Sequence, residues 1–297
     1  MSFNIVVCVK QVPDTKRITG DAMKEDGTVN RAALPAIFNP EDLNALETAL
    51  EVRDKFGGTV TAITMGPPAA CAVLRDCLQR GADRAILVTD RRAAASDTLA
   101  TSYILSSAIK KLNADLVFCG RQAIDGDTAQ VGPQLAEKLD FTLVTYLEDL
   151  IDLDNANIRI KRNIGSGWED VSAKLPALVT VMETANSPRP YAIKRINKYK
   201  KARAIGEIAM EVKKLGLEES QIEARANDLK EKGLLIDSWD LDYTEADMDW
   251  VGMAGSPTKV NRIQSVVLTG GDYEEVAANE DGIAKLVGEL IQDHTIG

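Results

Sequence analysis

Four short runs rich in Val, Ile and Leu, at residues 4–9, 59–65, 84–88 and 115–119, recur along the chain with helix-length segments between them. Runs that are apolar on both faces belong to strands buried within a parallel sheet, and their alternation with helices is the order of a doubly wound α/β domain. The ends of the helices can be read as well. Asn39-Pro40-Glu41-Asp42 combines a capping side chain, a proline at the first helical position and acids in the first turn. Leu43, Leu46 and Leu50 then form an apolar stripe, and Gly57-Gly58 stops the helix. A second helix is expected over roughly 69–79 and a third from Ser96 or Asp97 to about Leu112.

The pattern changes after about Phe141. Residues 158–161 and 168–171 alternate in polarity around Gly165-Ser166-Gly167, which predicts an antiparallel hairpin added to the sheet, and 178–182 reads as a further buried strand. From Ser187 the chain becomes basic, and from Glu207 to Asp249 it is acidic, helix-forming and poor in large apolar residues. The expected fold class is therefore α/β, a doubly wound mostly parallel sheet with an added antiparallel hairpin and an extended C-terminal arm. Residues 1–203 are expected to form the α/β domain. Residues 204–297 are expected to form an arm whose helices pack on a partner, with a strand at 266–268 and a last helix near 274–291.

Composition removes several function classes. The chain has 297 residues, a net charge of −10 and one histidine, His294, close to its last residue. A Ser-His-Asp triad, a Cys-His pair or a multi-histidine metal site would need that ring in an ordered core position, so acid–base hydrolysis is disfavoured. Cys8, Cys71, Cys77 and Cys119 lack Cys-x-x-Cys spacing and indicate neither a disulfide framework nor zinc. No catalytic side chain and no metal ligand is assigned. The acidic balance argues against nucleic acid, and no apolar stretch is long enough to span a bilayer. Met1-Ser2-Phe3 runs directly into a strand, so a cytoplasmic location is expected. A chain with this inventory suits a cofactor that brings its own chemistry.

The segment from Cys119 to Gln134 is where such a cofactor is expected. Pro133 is tolerated only in a first turn, so a helix should begin near Gln130 and leave the N–H groups of Gln130, Val131 and Gly132 without intrahelical partners. Those groups and the helix dipole favour a phosphate. Gly126 and Gly132 allow close backbone approach, Thr128 and Gln130 offer polar groups, and Asp125 and Asp127 suit ribose hydroxyls or capping. A capped helix without a ligand accounts for the same residues equally well. In a doubly wound sheet, ligands lie outside the carboxyl ends of the strands. The loops at Lys10-Gln11-Val12-Pro13, Met65-Gly66-Pro67 and Ser96-Asp97-Thr98 share that position. Cys8 and Met65 could flank an adenine ring, although core packing explains each taken singly. A helix cap explains Asn39 without a ligand. The basic run from Lys194 to Arg203, interleaved with Ile193, Ile196 and Tyr199, suits either transient docking or a solvated face.

Together these residues resemble the electron-transfer flavoprotein beta subunit. The resemblance rests on residues 7–15, Asn39-Pro40-Glu41-Asp42, Met65-Gly66-Pro67, residues 81–85, residues 120–125, Lys174-Leu175-Pro176-Ala177 and Asn186-Ser187-Pro188-Arg189, and spans residues 4 to about 203. It implies an α/β nucleotide-binding domain with an arm embracing an FAD-bearing alpha subunit. By position it implies cofactor contacts from Cys8, Asn39, Asp42, Met65, Asp125, Gly126, Asp127, Thr128, Ala129, Gln130, Val131, Gly132 and Gln134. The family divides between simple carriers holding AMP and electron-bifurcating members holding a second FAD reduced by NADH. Residues 125–133 and Gly255-Ser256-Pro257-Thr258-Lys259-Val260 resemble the bifurcating pattern, and Gly126 and Ala129 leave room for a diphosphate. The implied cofactors are FAD, with AMP as the alternative, and NAD as substrate. The implied partners are the alpha subunit, ferredoxin, and an acyl-CoA dehydrogenase or other flavin dehydrogenase docked near Arg189 and Ile193. The acidic segment 206–250 departs from the family pattern.

Overall fold

The computed structural model describes residues 2–14, 34–258 and 275–292. Strand β1 (Phe3–Cys8) leads into a short antiparallel pair, β2 (Gln11–Pro13) with β3 (Ala36–Phe38), and then into helix α1 (Pro40–Phe56). The parallel strands β4 (Gly58–Met65), β5 (Arg84–Val88) and β6 (Leu116–Gly120) follow, with α2 (Cys71–Arg80) and α3 (Thr98–Lys110) between them and α4 (Val131–Leu139) after β6. Next come β7 (Thr142–Leu153), β8 (Asn157–Asn163), β9 (Trp168–Lys174), β10 (Ala177–Val181) and α5 (Ile193–Tyr199). The order closes with β11 (Arg203–Ala204), α6 (Ile205–Lys214), α7 (Ser220–Glu231), β12 (Leu235–Trp239) and α8 (Glu280–Gln292).

One ten-stranded sheet carries the fold, in the order β11-β12-β5-β4-β1-β6-β10-β7-β8-β9. Its strands are parallel except where β8 pairs antiparallel with β7 and β9, the expected hairpin addition. Side-chain alternation assigns β1 to two cores: Ile5 and Val7 pack on one face, with Leu46, Leu50 and Leu74, while Val6 packs on the other, with Ile104 and Leu135. That division is what a doubly wound sheet requires, because helices cover both faces. Chain order reverses direction at β1, which has β4 on one side and β6 on the other. The crevice at the carboxyl ends of β1 and β6 is the position where open α/β sheets bind ligands.

The sheet continues past residue 203, because β12 pairs with β5 along Asp237–Trp239 and β11 pairs with β12. The segment 206–250 has few apolar residues, yet it needs few, since Ala204, Ile208, Ile236 and Leu241 bury themselves against or beside a sheet already formed. Arg75 holds Glu207 at 2.7 Å, and Arg84 holds Asp237 at 2.6 Å, which fasten the segment down. What stands apart is α8, with no buried side chain and with Ile283, Leu286, Val287 and Ile291 exposed along one face. Strand β7, twelve residues long, was not anticipated from the sequence, because Glu148, Asp149 and Asp152 interrupt its apolar residues. The strand expected at 266–268 and His294 lie outside the described residues. No helix among the described residues is long and apolar enough to cross a membrane.

Candidate functional site

Cys8 and Cys119 stand opposite each other in the β1–β6 register, at the carboxyl ends of their strands. The Cys8 contact and burial together push the Cys119 thiol well above its usual range, so it behaves as a small apolar group. Both border a cavity of about 430 Å³ whose other walls include Met65 from β4, Thr101 and Leu105 from α3, and the loop between β6 and α4. That size falls in the range of roughly 300–1,000 Å³ typical of small-molecule sites.

The first turn of α1 builds the rim. Asn39 precedes the helix but makes no side-chain cap to it. Its Nδ2 donates to Gln122 O at 2.9 Å, and its Oδ1 accepts from Ile124 N at 3.1 Å, so the residue pins the loop after β6. The capping role expected from sequence is thereby replaced by a tertiary one. Glu41 accepts from Gln122 N at 2.8 Å and pairs with Arg121 at 2.7 Å. Asp42 accepts from Lys10 N at 2.8 Å and from Gly120 N at 3.1 Å, joining the chain after β1 to the end of β6. Burial pushes its carboxyl up to about 7 despite those donors.

The loop itself is held in uncommon backbone geometry. Asp127 and Ala129 lie in the left-handed region, with φ of 50° and 52°. For residues bearing a Cβ this costs free energy and marks positions that the surroundings enforce. Helix α4 begins at Val131, as the proline placement requires, and Gln130 Oε1 accepts from Thr98 Oγ1 at 3.0 Å, which locks its N-terminus to that of α3. Asp97 caps α3 by accepting from Ala100 N at 3.0 Å through Oδ1, while Oδ2 accepts from Thr258 N at 2.9 Å. Burial raises the Asp97 carboxyl, but the surrounding N–H donors outweigh it and leave the group below its usual range.

The structure brings Cys8, Asp42, Met65, Gly126, Asp127, Thr128, Ala129, Gln130, Val131 and Gly132 onto one cavity wall. Asn39, Asp125 and Gln134 are not on it. Asp125 pairs with Lys10 Nζ at 2.7 Å instead, and Gln134 Oε1 is buried without a hydrogen-bond partner among the described residues. The glycines also divide. A Cβ on Gly126 would meet nothing within 4 Å, whereas one on Gly132 would lie 2.8 Å from Thr180 Cγ2, so Gly132 serves helix–sheet packing. Sequence reading missed Arg121, Thr101 and Leu105 as wall residues. The helical spacing of Thr98, Thr101 and Leu105 was the available signal.

Away from the cavity, Arg189 donates to Glu47 through both its backbone N–H and Nε, each at 2.9 Å to Oε2. Ile193 opens α5 with 76% of its surface exposed. Arg195, within the basic run, donates to Leu78 O and Ala82 O at the end of α2, so that residue closes a helix terminus.

The Electron transfer flavoprotein domain matches residues 26–211 of the chain. The electron transfer flavoprotein subunit beta of Clostridium acetobutylicum is 39% identical over 294 residues, covering 99% of this chain and 100% of that protein. The acryloyl-CoA reductase electron transfer subunit gamma of Anaerotignum propionicum is 40% identical over 305 residues, again covering 99% and 100%. The caffeyl-CoA reductase-Etf complex subunit CarD of Acetobacterium woodii is 48% identical over 189 residues, covering 63% of this chain and 71% of that one.

Proposed function

The chain belongs to the electron transfer flavoprotein beta-subunit family, and from that premise we propose that its cavity holds FAD. Together with the alpha subunit it oxidises NADH, sending one electron to ferredoxin and the other toward a partner flavin dehydrogenase. The observation supporting the larger cofactor is the space at Gly126, where, its chain neighbours aside, no described residue comes within 4 Å of the position a Cβ would take, on a cavity wall shared with Val131 and Gly132 of α4. Two relatives whose names place them in acyl-CoA reductase assemblies also support the reading.

When bound, the flavin supplies both the hydride and the single-electron chemistry. The residues of this chain bind and orient it. The first N–H groups of α4 and the loop 126–130 receive the diphosphate, since helix N-termini favour anions. Cys8, Met65 and Leu105 present apolar surface to a ring. Asn39 and Glu41 hold the loop's backbone in place, and Asp42, on the cavity wall, ties the end of β6 to the chain after β1. Arg189, fixed by Glu47, positions the approach to α5, where Ile193 is presented to the dehydrogenase. The open apolar face of α8 packs on the alpha subunit.

Anaerobic titration of the heterodimer with NADH, with and without ferredoxin, tests this function. Reduction of a second flavin by NADH, followed by ferredoxin reduction, is expected. A heterodimer whose flavin does not respond to NADH contradicts the proposal and matches a carrier holding AMP.

A further inference from the structure

A second cavity, of about 460 Å³, opens between the carboxyl end of β10, the middle of β7 and the tip of the β8–β9 hairpin. We propose that it binds a small phosphate-bearing anion, with Arg162 as the principal donor and Arg121 as the second cation. Both arginines line it together with Tyr146, Ile164 and Met182, and no carboxylate does among the described residues. Arg121 borders the first cavity as well, so one side chain forms part of both walls.

The hydrogen bonding of Arg162 is incomplete. Its Nη2 donates to Thr145 Oγ1 at 2.9 Å, and its Nη1 stands 3.3 Å from Glu169 Oε1, while Nε is buried with no hydrogen-bond partner among the described residues. A buried guanidinium N–H without an acceptor carries a desolvation cost that an anionic oxygen removes. Glu169 competes weakly, because its side chain is 46% exposed and the pair is long. Arg121 is held through Nη2 by Glu41 at 2.7 Å, which fixes the guanidinium at the boundary between the cavities.

The apolar wall is also imposed by the fold. Tyr146 sits at φ 63° where the β10–β7 register shifts, and its N–H donates to Thr180 Oγ1 at 3.0 Å rather than to the ladder. This bulge re-aims an aromatic residue at the cavity. A phosphate carried on a planar body matches a wall of two arginines, a tyrosine and a methionine. The inference stands whichever nucleotide occupies the first cavity.

Inorganic pyrophosphate is the probe, titrated calorimetrically into the purified complex of the full-length chain with its partner subunit. Arg162→Gln should weaken the Arg162-dependent component by about tenfold or more. Glu169→Gln, at a half-exposed position, should strengthen it by about twofold to fivefold, because a competing charge is removed. A purely structural role for Arg162 would give no gain in the second variant. Indistinguishable isotherms for the three proteins overturn the proposal, including the case in which the partner subunit fills the cavity. Cofactor content of the first cavity is unchanged in both variants, which separates this outcome from failure of the FAD reading.

Discussion

The amide of Gly120 donates to Asp42 Oδ1 at 3.1 Å, and a Cβ on Gly120 would lie 2.5 Å from that same oxygen. The close approach of β6 to the first turn of α1 therefore depends on glycine. Gly120→Ala is expected to cost about 1–3 kcal/mol, the range for forcing a group into a packed site. Chemical denaturation of the purified complex checks the value. Loss of cofactor should accompany it, because the loop carrying Gln122 and Ile124 starts at this residue.

Asp42 gives stability a pH dependence of unusual sign. Burial holds its carboxyl at about 7 in the folded chain, against 3.8 for the ordinary group. Between those values the folded state keeps a proton that the unfolded chain has released, so this residue's contribution falls as pH rises from about 4 to about 7 and is flat above. Asp42→Asn should remove that slope from the pH–stability profile, at the cost of one of the two N–H bonds from Lys10 and Gly120. An unchanged slope would show that Asp42 does not titrate in this way.

Asn39→Ala leaves Gln122 O and Ile124 N without their side-chain partners. The expected loss is about 1–3 kcal/mol. Asn39→Asp keeps the acceptor for Ile124 N but sets a carboxylate oxygen against Gln122 O at a fully buried position, so its cost should equal or exceed that of Asn39→Ala. Equal cofactor retention in all three proteins would contradict a positioning role for Asn39.

The two docking candidates should separate experimentally. Arg189→Ala leaves Glu47 buried without its cation and should destabilise the fold by about 3 kcal/mol, the low end for a buried pair because Arg189 retains some solvent access. Ile193→Ala, at an exposed position, should change stability by less than about 0.5 kcal/mol and slow electron transfer to the dehydrogenase. Thermal denaturation and stopped-flow oxidation of the reduced complex distinguish the two.

The strands and helices around β1, β4, β5 and β6 were legible because buried parallel strands and capped helices leave strong local signals. Residues 203–239 were not, because a strand that joins the edge of an existing sheet needs only Ala204, Ile236 and Trp239 to be apolar. The cavity wall was legible at Gly126 and Gln130, because a glycine-containing crossover before a helix with an early proline places the loop at the strands' carboxyl ends. The role of Asn39 was hidden, since a helix-capping residue and a loop-pinning residue look the same until the segment eighty-odd positions away is brought beside it. Tyr146 was hidden for a related reason: its backbone conformation follows from the β10 register and not from its neighbours in sequence.

The cofactor count of the purified heterodimer, measured by chromatography after acid release, tests the assignment of FAD to the first cavity most directly. Two FAD per heterodimer and no AMP are expected. One FAD together with one AMP would contradict that assignment.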